Sequence, residues 1–92
     1  YLTDKYLFVH AGINPDYPLE EQDEVDLVYI RGKFIYSKHK LPQKIIFGHT
    51  EFDEPYIDEG KICIDLGCGK YPDAHLCALI LNEDGTREFV YS

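Results

Sequence analysis

Long apolar runs are missing from this sequence. The longest, Leu76 to Leu81, has six residues, whereas a membrane helix needs ~20. No charged-then-apolar leader stands at the start. A membrane is therefore not expected as a partner. Methionine is absent and the first residue is Tyr1, which implies a chain processed or cut from something longer. Cys-x-x-Cys pairs are absent too. Cys63, Cys68 and Cys77 are odd in number, which fits a reducing, cytoplasmic setting better than a disulfide scaffold. Cys63 and Cys77 lie in apolar stretches and read as small buried hydrophobes. Cys68, between two glycines, reads as the exposed one. Positive charge is scarce: nine Lys and Arg face seventeen Asp and Glu, for a net charge of -8. An acidic surface repels nucleic acid polymers and anionic lipid, so neither is expected to bind. A phosphorylated substrate would be repelled as well, unless divalent metal and a well-placed Arg reverse the field locally. Internal repeats and low-complexity linkers are also lacking.

What remains is a chain of 92 residues, 45% hydrophobic, with eight Tyr and five Phe. That suffices for one globular domain over residues 1–92 with a modest core. Tyr6 to His10 reads as a strand whose consecutive Leu7, Phe8 and Val9 imply cover on both faces. Ala11 to Pro18 reads as a loop, punctuated by Asn14-Pro15-Asp16 and Tyr17-Pro18. Glu20 to Glu24 is an acidic loop and first helical turn, with Asp23 as N-cap. Leu27, Ile30, Phe34 and Ile35 then recur at helical spacing. Gly32 either breaks this helix or marks a crowded backbone. His39, between Lys38 and Lys40, reads as a solvated residue or a partner of the helix dipole, and Pro42 prevents continuation.

Lys44 to Phe47 reads as a second buried strand. Tyr56 to Asp58 is expected to pair with Lys61 to Asp65 across Glu59-Gly60. Gly67-Cys68-Gly69 and Tyr71-Pro72-Asp73 form an irregular connection. The unbroken run Leu76 to Leu81 reads as a central strand. Arg87 to Tyr91 alternates as an outer strand should.

Two of these strands end alike. Phe8-Val9-His10-Ala11-Gly12 and Ile46-Phe47-Gly48-His49-Thr50 each carry an imidazole to the rim of a sheet, beside small residues. Functional groups gather at the carboxyl ends of strands. Neutral imidazole suits Zn, Fe, Mn and similar ions. His10 and His49 are therefore expected to lie side by side and bind one metal ion. Two ligands do not hold a metal firmly, so carboxylate or amide donors are still needed. Asp65 is the best local candidate, although a turn-stabilising carboxylate is its simpler reading. Arg31 follows the apolar run Val28-Tyr29-Ile30. From spacing alone it is equally a snorkelling surface stem or a guanidinium aimed at a phosphoryl group.

The ordered blocks Phe8-Val9-His10-Ala11-Gly12-Ile13-Asn14-Pro15, Pro18-Leu19-Glu20-Glu21-Gln22, Asp26-Leu27-Val28-Tyr29-Ile30-Arg31, Phe47-Gly48-His49-Thr50 and Ile64-Asp65-Leu66-Gly67 span nearly the whole chain. Together they resemble the C-terminal half of a calcineurin-like metallophosphoesterase, in the bacterial phosphoprotein phosphatase branch. That branch holds serine/threonine phosphatases and diadenosine tetraphosphatases. The resemblance implies an α/β fold: part of an α-β-β-α sandwich, this segment mostly strands with one main helix. It also implies two divalent ions in the parent enzyme, Mn, Fe or Zn with Mn favoured. His10 and His49 would ligate the second ion and Arg31 would contact substrate phosphate. The substrate would be a phosphomonoester, such as a phospho-Ser/Thr protein, or a dinucleoside polyphosphate.

Against the family pattern, Tyr29 stands where Trp is usual, Glu51 where Pro often follows, and Leu66 where Thr is usual. The family's Gly-Asp-x-His-Gly, Gly-Asp-x-x-Asp-Arg-Gly and Gly-Asn-His-Glu blocks are absent. Those blocks supply the first metal's ligands, so the chain is expected to be inactive without a missing N-terminal half. The alternatives are a non-catalytic fragment that binds metal or anion or completes another chain's sheet, and a plain domain with structural histidines.

Overall fold

The computed structural model describes residues 1–68 and 70–92. Four short strands form the main sheet: β1 (Tyr6–Phe8), β2 (Lys44–Phe47), β3 (Tyr56–Ile57) and β4 (Lys61–Cys63), in the order β1-β2-β4-β3. β1, β2 and β4 are parallel, with Leu7 opposite Ile45 and Phe47 opposite Cys63. β3 lies antiparallel to β4. The continuous apolar lettering of the middle strands follows from cover on both faces. Ile45, Ile46 and Phe47 are all buried, and so are Ile62 and Cys63. The hairpin expected across Glu59-Gly60 forms, and the Gly60 amide donates to Asp58 Oδ1 at 2.9 Å.

The helical stretch differs from a single helix. It divides into α1 (Glu24–Tyr29) and α2 (Gly32–Ile35). Asp23 caps α1, accepting from the Val25 amide at 2.8 Å. The break falls at Ile30, which is extended (φ -61°, ψ 145°), and at Arg31 (φ -133°, ψ -106°). A short helix re-aimed after Ile30 buries Phe34 and Ile35 together with Ile30 itself. Phe34 meets Phe47 edge-on, with ring centres 4.9 Å apart. Gly12 allows that approach: a Cβ there would sit 2.3 Å from the Phe34 ring, and its φ of +147° favours glycine as well.

Lys61 holds α2 to the sheet from below. Only 2% of it is exposed. Its ammonium donates to the carbonyls of Phe34, Ile35 and Ser37, and it pairs with Asp58 Oδ2 at 3.2 Å. Carbonyls at and just beyond a helix end lack the amide partners that the next turn would supply, although the Phe34 carbonyl also accepts from the Ser37 amide and hydroxyl. His39, expected to be solvated or to partner the helix dipole, is bonded to backbone at both ring nitrogens. Its Nε2 hydrogen-bonds the Gly60 carbonyl at 2.8 Å, and its Nδ1 accepts from the Leu41 amide at 3.1 Å.

The last two strands, β5 (Cys77–Leu81) and β6 (Arg87–Tyr91), form a separate antiparallel ribbon. The expectation of a central strand at Leu76 to Leu81 is thus corrected. A central strand would have neighbours on both edges and little exposure, but Ala78 and Ile80 are exposed while Cys77 is buried. The turn at Asn82–Thr86 returns the chain on one side only, and among the described residues β6 is the sole pairing partner of β5. The chain is therefore mixed helix and strand, mostly strand, in two sheets with short helices. The connection through Gly67-Cys68-Gly69 includes Gly69, which lies outside the described residues.

Candidate functional site

The carboxyl ends of β1, β2 and β4 open onto one edge, and each delivers a polar side chain there. The backbone fixes the alignment. The Val9 amide donates to the Ile46 carbonyl at 3.1 Å, the Gly48 amide to His10 O at 2.8 Å, and the Ile64 amide to Phe47 O at 3.1 Å. His10, His49 and Asp65 consequently leave their strands at one level. The two imidazole rings stand 5.2 Å apart, tilted by 48°. Residues separated along the chain by the whole helical crossover are brought together by parallel pairing alone.

His49 sits in the left-handed region, with φ 67°. A residue bearing a Cβ seldom adopts this conformation, and where it does the strain is often tied to a site. Burial lowers the His49 pKa below its ordinary 6.5, and the charges of Arg31 and His10 add to the effect. Asp65 and Glu51 oppose it. The imidazole is thus held neutral at physiological pH, the form that ligates metal. Arg31 is exposed but lies near enough for its charge to act on His49. The structure thus gathers two of the three singled-out residues, His10 and His49, on one edge, and Arg31 bears on it through its charge.

Asp65 takes its simpler reading, its Oδ1 accepting from the Gly67 amide at 2.9 Å. Cys63 is held protonated: burial pushes its thiol up to about 11, and the Sγ donates to the Thr50 carbonyl at 3.3 Å. Two neighbours were not read from the sequence as parts of the site. Tyr29 turns its ring edge-on to His49, with centres 6.1 Å apart at 81°. The Thr50 hydroxyl oxygen is buried with no hydrogen-bond partner among the described residues. Tyr29 lay in an apolar helical run, and its exposure (65%) is the signal that its role is not core packing. A cleft of about 460 Å³ runs along the edge, with His10, His49, Asp65, Cys68 and His75 among its lining.

The fit to a metal ion can be tested on this geometry. Two imidazoles on one tetrahedral ion, each nitrogen about 2.1 Å from it, hold their ring centres about 5 Å apart. The observed separation matches that spacing. Among the described residues, however, no group of three or more His, Cys, Asp or Glu side chains could hold an ion. The edge offers a pair of donors, with further donors required from elsewhere.

Comparison with protein-family models, with curated proteins and with solved structures finds no match to this chain. Among the described residues, no helix is long and apolar enough to cross a membrane.

Proposed function

We propose that this chain is the C-terminal part of a phosphoprotein-phosphatase-type metallophosphoesterase domain and contributes half of its metal centre. The observation that supports the reading best is the imidazole pair, 5.2 Å apart at the carboxyl edge of a parallel sheet. The ordered blocks that resemble the metallophosphoesterase family add to it. His10 and His49 would hold one divalent ion through neutral ring nitrogens. When bound, a pair of such ions supplies a water of lowered pKa and neutralises phosphoryl oxygens. Arg31 would orient the phosphate through its planar fork. The ring of Tyr29, set edge-on to His49, limits how that imidazole can turn. The remaining donors would come from another segment or chain, consistent with the pair standing without a third ligand among the described residues. The substrate would be a phospho-Ser/Thr protein or a dinucleoside polyphosphate.

Two measurements test this reading. The chain alone, assayed on p-nitrophenyl phosphate with Mn²⁺, is expected to turn over no faster than the metal-only blank. Mn²⁺ is also expected to broaden the ring resonances of His10 and His49 together, and before those of His39. Replacing His49 with Ala should abolish the broadening at His10. Turnover well above the blank would end the claim that the chain is half a centre, and broadening spread evenly over all four histidines would end the claim of a paired site.

One observation favours a second reading, a sheet-completing fragment without catalysis. Ile80 and Val90, on one face of the β5–β6 ribbon, are 42% and 49% exposed. A chain that is monomeric at high concentration in size-exclusion chromatography would count against it.

A further inference from the structure

The opposite end of the main sheet carries a larger cleft, of about 670 Å³. It opens where β1, β2 and β4 begin, far from the imidazole pair along each strand. Its lining includes Lys5, Lys38, Lys44, Lys61 and Arg87. These are five of the nine basic residues in a chain whose net charge is -8. A random scatter over an acidic surface would not gather them so.

Among the described residues, salt bridges are made by Lys33, Lys61 and Lys70. Lys61 is spent on Asp58 and on the carbonyls at the end of α2. Lys5, Lys38, Lys44 and Arg87 have no carboxylate within salt-bridge distance among the described residues. The acids of the lining are Asp4, Asp58 and Glu59. Asp58 is already neutralised by Lys61. Four uncommitted cations therefore face two uncommitted acids. Asp84, in the turn of the β5–β6 ribbon, is a further acid; its Oδ1 is taken by the Thr86 amide and hydroxyl, and Lys5 is among the charges acting on it.

The backbone sets these cations close together. The Lys44 amide donates to the Lys5 carbonyl at 2.9 Å, which joins two of them across β1 and β2. His39, bonded at both ring nitrogens, fixes the wall between Lys38 and Gly60. Gly85 and Arg87 bring the ribbon's turn to the rim. The volume lies in the ordinary range for small-ligand sites. Partly enclosed like charges attract a multivalent anion more strongly than separated ones do, because low-dielectric walls focus their field.

We infer that this cleft is a binding site for a small multivalent phosphate anion, of the pyrophosphate or polyphosphate class. It is separate from the imidazole edge and does not depend on the phosphatase reading. The placing of Lys5 just before β1, Lys38 beyond α2, Lys44 at the start of β2 and Arg87 at the start of β6 suits a compact ligand with charge on several oxygens. A long acidic peptide would instead need a track of cations leading out of the cleft.

The test is an NMR titration of the whole chain with inorganic pyrophosphate, in buffer freed of divalent ions. Amide shifts are expected to cluster at Lys5, Lys44, Gly60 and Arg87, saturating near about 1 mM. The exposed, uncommitted Lys5 and Lys38 permit charge reversal without loss of fold. Lys5→Glu and Lys38→Glu should each weaken binding about tenfold, with unchanged far-UV circular dichroism. His10→Ala should leave it unchanged. Raising ionic strength from about 0.05 to about 0.5 M should weaken it strongly. Absence of shifts, shifts centred on His10, His49 and Arg31, or affinity unaltered by both reversals would overturn the site. Tighter binding of a poly-glutamate peptide than of pyrophosphate would overturn the phosphate assignment.

Discussion

His49 keeps a left-handed backbone (φ 67°) at a position where an ordinary L-residue is strained by roughly 1–2 kcal/mol. Glycine would relieve that strain, although it loses more chain entropy on folding, by roughly 0.5–1 kcal/mol. His49→Gly is therefore expected to match or slightly exceed the wild type in urea unfolding at neutral pH, while losing any metal response. The pH dependence has a definite sign. Burial, with Arg31 and His10, depresses the folded pKa below the ordinary 6.5. The unfolded chain regains that ordinary value, so it takes up a proton first as pH falls. The contribution of His49 to stability is then fully present above 6.5 and is lost as pH falls through the folded pKa. Urea midpoints followed downward from neutral pH should drop earlier for the wild type than for His49→Gly. Parallel curves would show that burial of this imidazole has no energetic weight.

Among the elements, α2 depends most on a residue outside itself. It has four residues, far too few to hold as an isolated helix. Its terminal carbonyls are met by the Lys61 ammonium, and Phe34 fills the space left by Gly12. Lys61→Met would keep the stem's volume but strip the donors from those carbonyls and the partner from Asp58. A loss of about 3 kcal/mol in chemical denaturation is expected. A loss under about 1 kcal/mol would mean that water can reach the carbonyls in its place. Nothing in the local sequence announces this lysine. It stands at the head of a strand, where a long cation normally lies in water.

At the scale of the molecule, two sheets of unequal strength share one chain. β4 is buried throughout and β2 is buried after Lys44, and both lie between other strands. β5 and β6 pair with each other, and most of their residues are exposed or half-exposed. A two-stranded ribbon is marginal by itself. Native-state hydrogen exchange should accordingly be slowest at Ile46, Phe47, Ile62 and Cys63, and faster by orders of magnitude across β5–β6. Equal protection in both sheets would show a single cooperative unit. The molecule also has two chemically distinct ends: a pair of imidazoles at the carboxyl ends of the parallel strands, and a basic cleft at their beginnings.

The sequence alone determined the strands of the main sheet, the Asp23 cap and the β3–β4 hairpin, because short apolar runs, caps and turn residues act over a few neighbours. It also marked His10 and His49 as belonging at strand ends, since position within a run is local information. Tertiary structure decided which strands are neighbours, and so that the two imidazoles meet; register is a long-range property. It also divided the helix at Ile30, because the direction that buries Phe34 depends on where Gly12 and Phe47 lie. It left the run from Leu76 to Leu81 with one face open, since whether a strand is covered on both sides depends on partners that its own residues do not name.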